Sequence, residues 1–267
     1  MNQFNSLVKR IILTILPKTI YRVYKKNRYF KLLKNFDINQ EPDIKVAQCF
    51  INSENCVLDI GANFGLYTFF ISPLAKIIYS IEPIPETFEI LRSNVQRLSL
   101  QNVITMNFAV SDKNTIVTMG IPKQASGLAN HFRARIIRGD DNKEYRSVNV
   151  PSVTIDSEFS DIAESICFVK CDVEGHELAS IQGAKKFLKM SKAAWLIEVS
   201  GDPDEKGTSA HQLFDIFSCR GFKVFWFDGL RLKPRKHGEK NINFFFLLDL
   251  HLEILRKQNP MLLPSSL

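Results

Sequence analysis

The stretch Cys56-Val57-Leu58-Asp59-Ile60-Gly61-Ala62-Asn63-Phe64-Gly65 decides the fold. An apolar run ends in an acid and passes into a tight glycine turn, after which residues 65–72 read as a helix. Such a turn lets a ligand come against bare backbone and meet the N-terminus of a helix. The rhythm continues outward. Residues 77–81 (IIYSI), 103–108, 166–170 (ICFVK) and 194–199 (AWLIEV) read as further strands. Between them, residues 87–98 carry Phe88, Leu91, Val95 and Leu98 at helical spacing, and residues 177–188 and 210–220 read as helices, the last closed by Gly221. Strands alternating with helices predict βαβ units and a mostly parallel sheet. Residues 222–227, the Asp228-Gly229 turn and residues 243–248 predict a terminal antiparallel pair. Residues 111–151 break the rhythm: they are polar, contain Gly120, Gly127 and Gly139, and read as a long loop on the ligand side of the sheet, a lid or substrate wall.

Composition bounds the rest. The chain has 267 residues, 45% hydrophobic and 24% charged, which is ordinary for a globular protein and excludes a disordered, collagen-like or disulfide-knot class. The net charge of +7 is unevenly placed. Residues 1–35 hold nine Lys/Arg and no acid, while the remaining 26 basic and 28 acidic residues leave the body at −2. That pattern argues against a general nucleic-acid binder, whose basic residues would cover a face. Five cysteines without a CxxC pair predict free thiols in a reducing compartment rather than a zinc site. No run reaches the ~18 apolar residues of a membrane span, and no apolar block precedes a small-residue cleavage site, so neither a spanning helix nor a secretory signal is expected. The expected location is cytoplasmic, with peripheral contact at the inner face of a membrane through residues 1–35 as the alternative to packing of that arm on the body. In the basic arm, Leu7, Val8, Ile11, Ile12, Ile15 and Leu16 form an apolar stripe broken at Pro17, followed by Tyr21, Tyr24, Tyr29 and Phe30 among lysines and arginines. Packing on the body, lying on an anionic membrane and gripping an acidic partner are the three readings of that arm.

Glu82 stands 21 residues after Gly61, at the end of the second strand. A carboxylate there can accept hydrogen bonds from both hydroxyls of a ribose. Read alone, the glycines make a strand–helix turn and Glu82 is a surface acid; read together, they describe a nucleoside site. A dinucleotide site wants G-x-G-x-x-G, but Asn63 occupies the second glycine's place and Asp59 precedes the turn. An acid there repels phosphate and suits an ammonium group, which favours S-adenosylmethionine (SAM) over NAD. A second cluster, Asp172-Val173-Glu174-Gly175-His176-Glu177, follows the fourth strand and opens a helix. Its acids can cap that helix, or they can join His176 in positioning and deprotonating an acceptor.

The runs VLDIGANFGLYT, SIEPIPETFEILRSNV and FVKCDVEGHELASIQGA, with Ala109–Asp112 and Thr154–Asp156 between them, resemble the FkbM family of SAM-dependent methyltransferases over roughly residues 45–250. Cys171 departs from the aliphatic residue usual there. The resemblance implies a class I methyltransferase, Rossmann-like fold: a seven-stranded, mostly parallel sheet with helices on both faces and an antiparallel last strand. It places the SAM-binding methyltransferase domain at residues 45–250; the basic amphipathic pattern predicts a helical arm at residues 1–44, outside the resemblance, and residues 251–267 read as a tail. The resemblance implies O-methylation of a hydroxyl on a saccharide or secondary metabolite. Gly61, Ala62, Asn63 and Gly65 would line the cofactor, Asp59 would face its amine, Glu82 would hold the ribose and Asp112 would lie toward the adenine.

A sugar hydroxyl is a weak nucleophile, so a base or a metal should help. Asp172, His176 and Glu174 are the candidate catalytic residues, and Asp172 with Glu198 could share a divalent cation. The rival readings are a methyltransferase acting on nucleic acid or protein, a non-catalytic cofactor-binding module, and an NAD oxidoreductase. His131, His211, His237 and His251 read as surface residues, and Trp195 and Trp226 as core. Arg231, Lys233, Arg235 and Lys236 form either a solvated loop or a grip on an acidic acceptor.

Overall fold

A computed structural model describes residues 17–122, 135–136 and 145–264. Pro17, which cannot continue a preceding helix, stands before α1 (Lys18–Lys34). After α2 (Asp43–Gln48) the chain enters β1 (Cys56–Ile60), α3 (Leu66–Ile71), β2 (Ile77–Ile81), α4 (Pro85–Arg97), β3 (Val103–Met106) and β4 (Ala109–Val110). Then come β5 (Thr115–Pro122), β6 (Arg135–Ile136), β7 (Tyr145–Val153), α5 (Ile155–Phe159), β8 (Ile166–Cys171), α6 (Glu177–Gln182) and α7 (Phe187–Met190). The last part is β9 (Ala194–Glu198), α8 (Ser209–Ser218), β10 (Lys223–Phe227), β11 (Leu232–Pro234), β12 (Asn243–Leu247) and α9 (Asp249–Gln258).

The main sheet runs β11-β10-β12-β9-β8-β1-β2-β3. β1 pairs parallel with β2 and β8, and β12 is antiparallel to both β9 and β10. The class expected from sequence is therefore present, with one more strand than the expected seven: the Asp228-Gly229 turn leads into β11, a short edge strand, before the chain returns as β12. All five residues of β1 are buried, as a central parallel strand requires. Residue alternation divides the core between the sheet's two faces. Leu58, Val169, Trp195, Phe244 and Phe246 fill one; Val57, Phe168, Leu196 and Phe245 fill the other.

Two expectations give way. Residues 111–151 are not a plain loop: β5 and β7 pair antiparallel over eight residues and, with β4 and β6, form a second sheet. Met119, Ile121 and Val150 turn one face of it onto Ile84 and Ala109. Gly127, Gly139 and His131 lie outside the described residues. The single helix expected over residues 177–188 is two, α6 and α7, broken at Gly183. A Cβ on Gly183 would stand 2.1 Å from the Ser111 carbonyl oxygen, so the second sheet's leading strand presses on the helix at that point.

Residues 249–258 form α9, whose Leu252 and Leu255 enter the core. His251 is buried rather than at the surface; burial pushes its imidazole down to about 4. Its Nδ1 accepts from the Leu248 N–H at 2.9 Å, so Nε2 carries the proton and donates to the Lys192 carbonyl. Trp195 is core, while Trp226 is half-buried and donates to Glu239. α1 lies on α4: Lys26 pairs with Glu89 at 3.1 Å, and the Arg97 guanidinium sits 3.7 Å from the Phe30 ring centre. The apolar stripe at residues 7–16 lies outside the described residues. Among the described residues no helix is long and apolar enough to cross a membrane.

Candidate active site

From β1 the chain moves outward through β2 to β3, and from β8 it moves the other way, so the carboxyl ends of β1 and β8 flank the point where strand order reverses. Crevices in open α/β sheets form there. At this point Gly61 meets the backbone of Asp172: a Cβ on Gly61 would stand 1.8 Å from the Asp172 carbonyl oxygen. Only glycine lets the two strand ends come together. Gly61 (φ +78°), Asn63 (φ +56°) and Gly65 (φ +94°) are all left-handed, which folds the turn back over β2. The Gly61 and Ala62 N–H groups both donate to the Ile81 carbonyl at 2.9 Å.

Two cavities open on either side of Gly61. The first is lined by Gly61, Asn63, Glu82, Ile84, Phe108, Asp172, Glu174 and His176, among others. The second, of about 350 Å³, is lined by Asp59, Phe64, Tyr67, Lys170, Asp172, Glu198 and Asn243, among others. Glu82 forms a wall of the first. Its Oε1 accepts from the Ile84 N–H at 2.9 Å and its Oε2 from the Asn63 N–H at 3.1 Å. Burial, against those two donors, pushes its carboxyl up to about 7. Asp59 is fully buried, and burial raises its carboxyl despite the nearby Lys170 charge. Its Oδ2 accepts from the Thr68 N–H and hydroxyl at 3.1 and 2.6 Å, while Oδ1 has no partner within the chain. The Asn63 Oδ1 is likewise buried and unpartnered.

The Asp172–Glu177 cluster divides into parts. Glu177 is structural: buried at the start of α6, it accepts from the Val173 and Gly175 N–H groups at 3.3 and 2.9 Å, tying down its own loop. Glu174 stands exposed on the first cavity's rim with φ +53°, beside Gly175 at φ +90°. His176 reaches the Ser111 hydroxyl at 2.9 Å. Asp172 borders both cavities and accepts from Lys170 Nζ at 2.9 Å. Burial alone would lower the Lys170 ammonium, but Asp172 and Asp59 raise it above its usual value, so it stays charged. It also lies 4.9 Å from the Tyr67 ring centre.

Asp59, Gly61, Ala62, Asn63, Glu82, Asp172, Glu174 and His176 thus come together around the crevice. Gly65 supports the turn from behind, where a Cβ would stand 2.8 Å from Leu91. Asp112 does not join them: it is exposed, lines neither cavity and accepts from the Ser111 hydroxyl at 3.1 Å. The structure adds Lys170 and Tyr67, and it places Glu198, the acid expected beside Asp172, in the wall of the second cavity. Burial, then the charges of Asp172 and Glu174, push the Glu198 carboxyl up to about 7. Its place at the end of β9 was the sequence signal available for it. Among the described residues no three His, Cys, Asp or Glu side chains are grouped as a metal site would need, and Lys170 supplies the positive charge beside Asp172. Of the basic residues after β10, Lys233 pairs with Asp228 and Arg235 with Asp204 within the chain.

Comparison with known proteins follows the same boundaries. No curated protein matches the chain. Among solved structures it is similar to a methyltransferase FkbM from Methylobacillus flagellatus KT, at 15% identity and a TM-score of 0.46, over 73% of this chain and 44% of that one. The chain thus spans less than half the length of the Methylobacillus protein. It is also similar to a SAM-dependent O-methyltransferase from Thermotoga maritima, at 10% identity and a TM-score of 0.44, covering 78% and 65% of the two chains. For the tRNA methyltransferase TrmI from Aquifex aeolicus the figures are 13%, 0.40, 77% and 66%. The family model of the methyltransferase FkbM domain matches residues 59–224, more than half of the chain. Since that span runs from the end of β1 into β10 and takes in the glycine turn, Glu82 and the Asp172–Glu177 cluster, the chain belongs to the FkbM methyltransferase domain family.

Proposed function

We propose that this protein is a SAM-dependent O-methyltransferase acting on a hydroxyl of a saccharide or secondary-metabolite acceptor. One observation carries the cofactor: Glu82, buried at the end of β2, is fixed by the Asn63 and Ile84 N–H groups with lone pairs left toward the first cavity. Those lone pairs suit the two hydroxyls of a ribose. The residues fit the rest of the molecule too. The unpartnered Asp59 Oδ1, in a wall of the second cavity, is an acceptor for an ammonium group, and the unpartnered Asn63 Oδ1 serves the same end of the turn.

SAM, when bound, supplies a methyl group already activated by its sulfonium. The protein then has to align an oxygen behind that methyl and remove a proton. Asp172, held by Lys170 at the junction of the two cavities, orients the acceptor hydroxyl. Glu198, whose carboxyl titrates near neutrality and which lines the second cavity with Asp172, receives the hydroxyl proton, while His176 borders the first cavity. A cavity walled by carboxylates, a lysine and Asn243 suits a polyhydroxylated acceptor better than an apolar one.

Calorimetric titration with S-adenosylhomocysteine (SAH), beside NAD, tests the reading. The expected result is micromolar SAH binding, no NAD binding, and a loss of about 1–3 kcal/mol in Glu82→Ala, the scale of hydrogen bonds to a charged group. Failure of the folded protein to bind SAH would overturn it.

A further inference from the structure

The cofactor turn is an unusual piece of chain to leave without outside support. Three of its five residues, Gly61, Asn63 and Gly65, have left-handed backbones, and Asn63 does so with a side chain. A non-glycine residue in that region costs on the order of 1 kcal/mol or more and persists where its surroundings hold it. On one side Glu82 holds the turn through the Asn63 N–H. On the other, the buried Asn94 of α4 donates from Nδ2 to the Phe64 carbonyl at 2.8 Å. The Phe64 ring, which walls the second cavity, is met by neither of these bonds. It lies against Tyr29 of α1, with ring centres 5.4 Å apart and planes inclined by 32°.

We infer that Tyr29 is a positioning residue for the cofactor turn: α1 clasps the turn through the Tyr29–Phe64 contact and so sets affinity for the cofactor. Tyr29 lies outside the span that the FkbM domain model matches, so the family pattern does not assign it. The clasp has a fixed seat. Lys26–Glu89, one turn before Tyr29, and Arg97–Phe30, at the residue next to it, tie α1 to α4. The same α4 supplies Asn94 to the turn. Helix and turn therefore share one support, and movement of α1 shifts Phe64 against a carbonyl that α4 holds still. An aromatic pair of this geometry is worth enough to bias a short turn. The inference rests on reading the turn as the cofactor's cradle.

The test has two readouts on the full chain. In the first, Tyr29→Ala should raise the SAH dissociation constant at least fivefold. Tyr29→Phe, which keeps the ring, should stay within twofold, as should Ile20→Ala, an exposed position on the same helix. In the second, the amides of residues 61–65 in the ligand-free protein should exchange with solvent faster in Tyr29→Ala but not in Tyr29→Phe. A double-mutant cycle with Phe64→Leu covers the case in which Tyr29→Ala unwinds α1: coupling is expected between the two positions. Wild-type exchange and SAH affinity in Tyr29→Ala, or additive effects in the cycle, would overturn the clasp. Absence of SAH binding in the wild-type protein would instead overturn the cofactor assignment, and amide exchange alone would then decide whether Tyr29 holds the turn.

Discussion

On the proposed function, Glu82 serves structure and ligand in different protonation states. Burial pushes its carboxyl to about 7, so near neutral pH the ligand-free protein holds it partly protonated. A ribose offers two O–H donors and needs the carboxylate as acceptor. Binding therefore draws the proton off, and affinity should fall as pH falls. With a carboxyl titrating near 7, the ionised fraction drops about tenfold between pH 8 and pH 6, and SAH affinity should drop by about the same factor. Calorimetry at the two pH values checks this, and Glu82→Gln should bind more weakly but with little pH dependence. A wild-type affinity that does not change over that range would mean that Glu82 is not the ribose acceptor. Glu82 and the glycine turn were legible in the sequence because their spacing is local to one βαβ unit. Glu198 was legible too, as the acid ending the strand after that of Asp172, whereas Lys170 was not. The place of Lys170 depends on β8 and β9 lying side by side, with Lys170 opposite Leu196 and Asp172 just beyond, a register that no local pattern encodes.

At the scale of elements, the same division holds. The central strands announced themselves because a parallel strand buried on both faces leaves a run such as CVLDI or AWLIE. The second sheet did not, because Pro151 stands inside β7, where a proline argues against a strand, and Arg146, Ser147 and Asn149 dilute its apolar pattern. The break between α6 and α7 was invisible for a different reason: Gly183 meets the Ser111 carbonyl from a distant part of the chain. This contact makes a prediction that separates two glycines. Gly183→Ala places a Cβ 2.1 Å from a backbone oxygen, which must move, and should cost at least 2 kcal/mol in urea unfolding. Gly175→Ala meets nothing within 4 Å; its cost is only that of a left-handed backbone at φ +90°, about 1 kcal/mol. Equal losses in the two variants would mean that α6 and the Ser111 strand end are not in close contact.

The whole molecule gathers buried acids at one end of its sheet. Glu82 and Glu198 titrate near 7, and Asp43, which accepts from Asn243 at 2.8 Å, near 6; burial is the main cause in each case. All three lie above the ~4 expected of the unfolded chain. At these three positions the folded protein therefore holds more protons than the unfolded one between pH 4 and 7, which outweighs the single proton that buried His251, held at about 4, withholds. Stability from these groups is complete below the unfolded values and is lost as pH rises through the folded ones. For Glu82 alone, 6% exposed, the loss is on the order of 3 kcal/mol. The ligand-free protein should accordingly melt several degrees higher at pH 5.5 than at pH 8, opposite to a protein whose carboxylates are held by ion pairs. Saturating SAH should narrow the gap, because Glu82 bound to ribose is stabilised as the anion. Glu82→Gln should narrow it without ligand. Melting curves at the two pH values, with and without SAH, test the point, and a melting temperature that rises with pH in the ligand-free protein would show that these carboxyls are ionised and paired at neutral pH. On the proposed function, the crevice carries a cost in stability that cofactor binding offsets, because its acids face the cofactor's hydroxyl and ammonium groups rather than partners of their own.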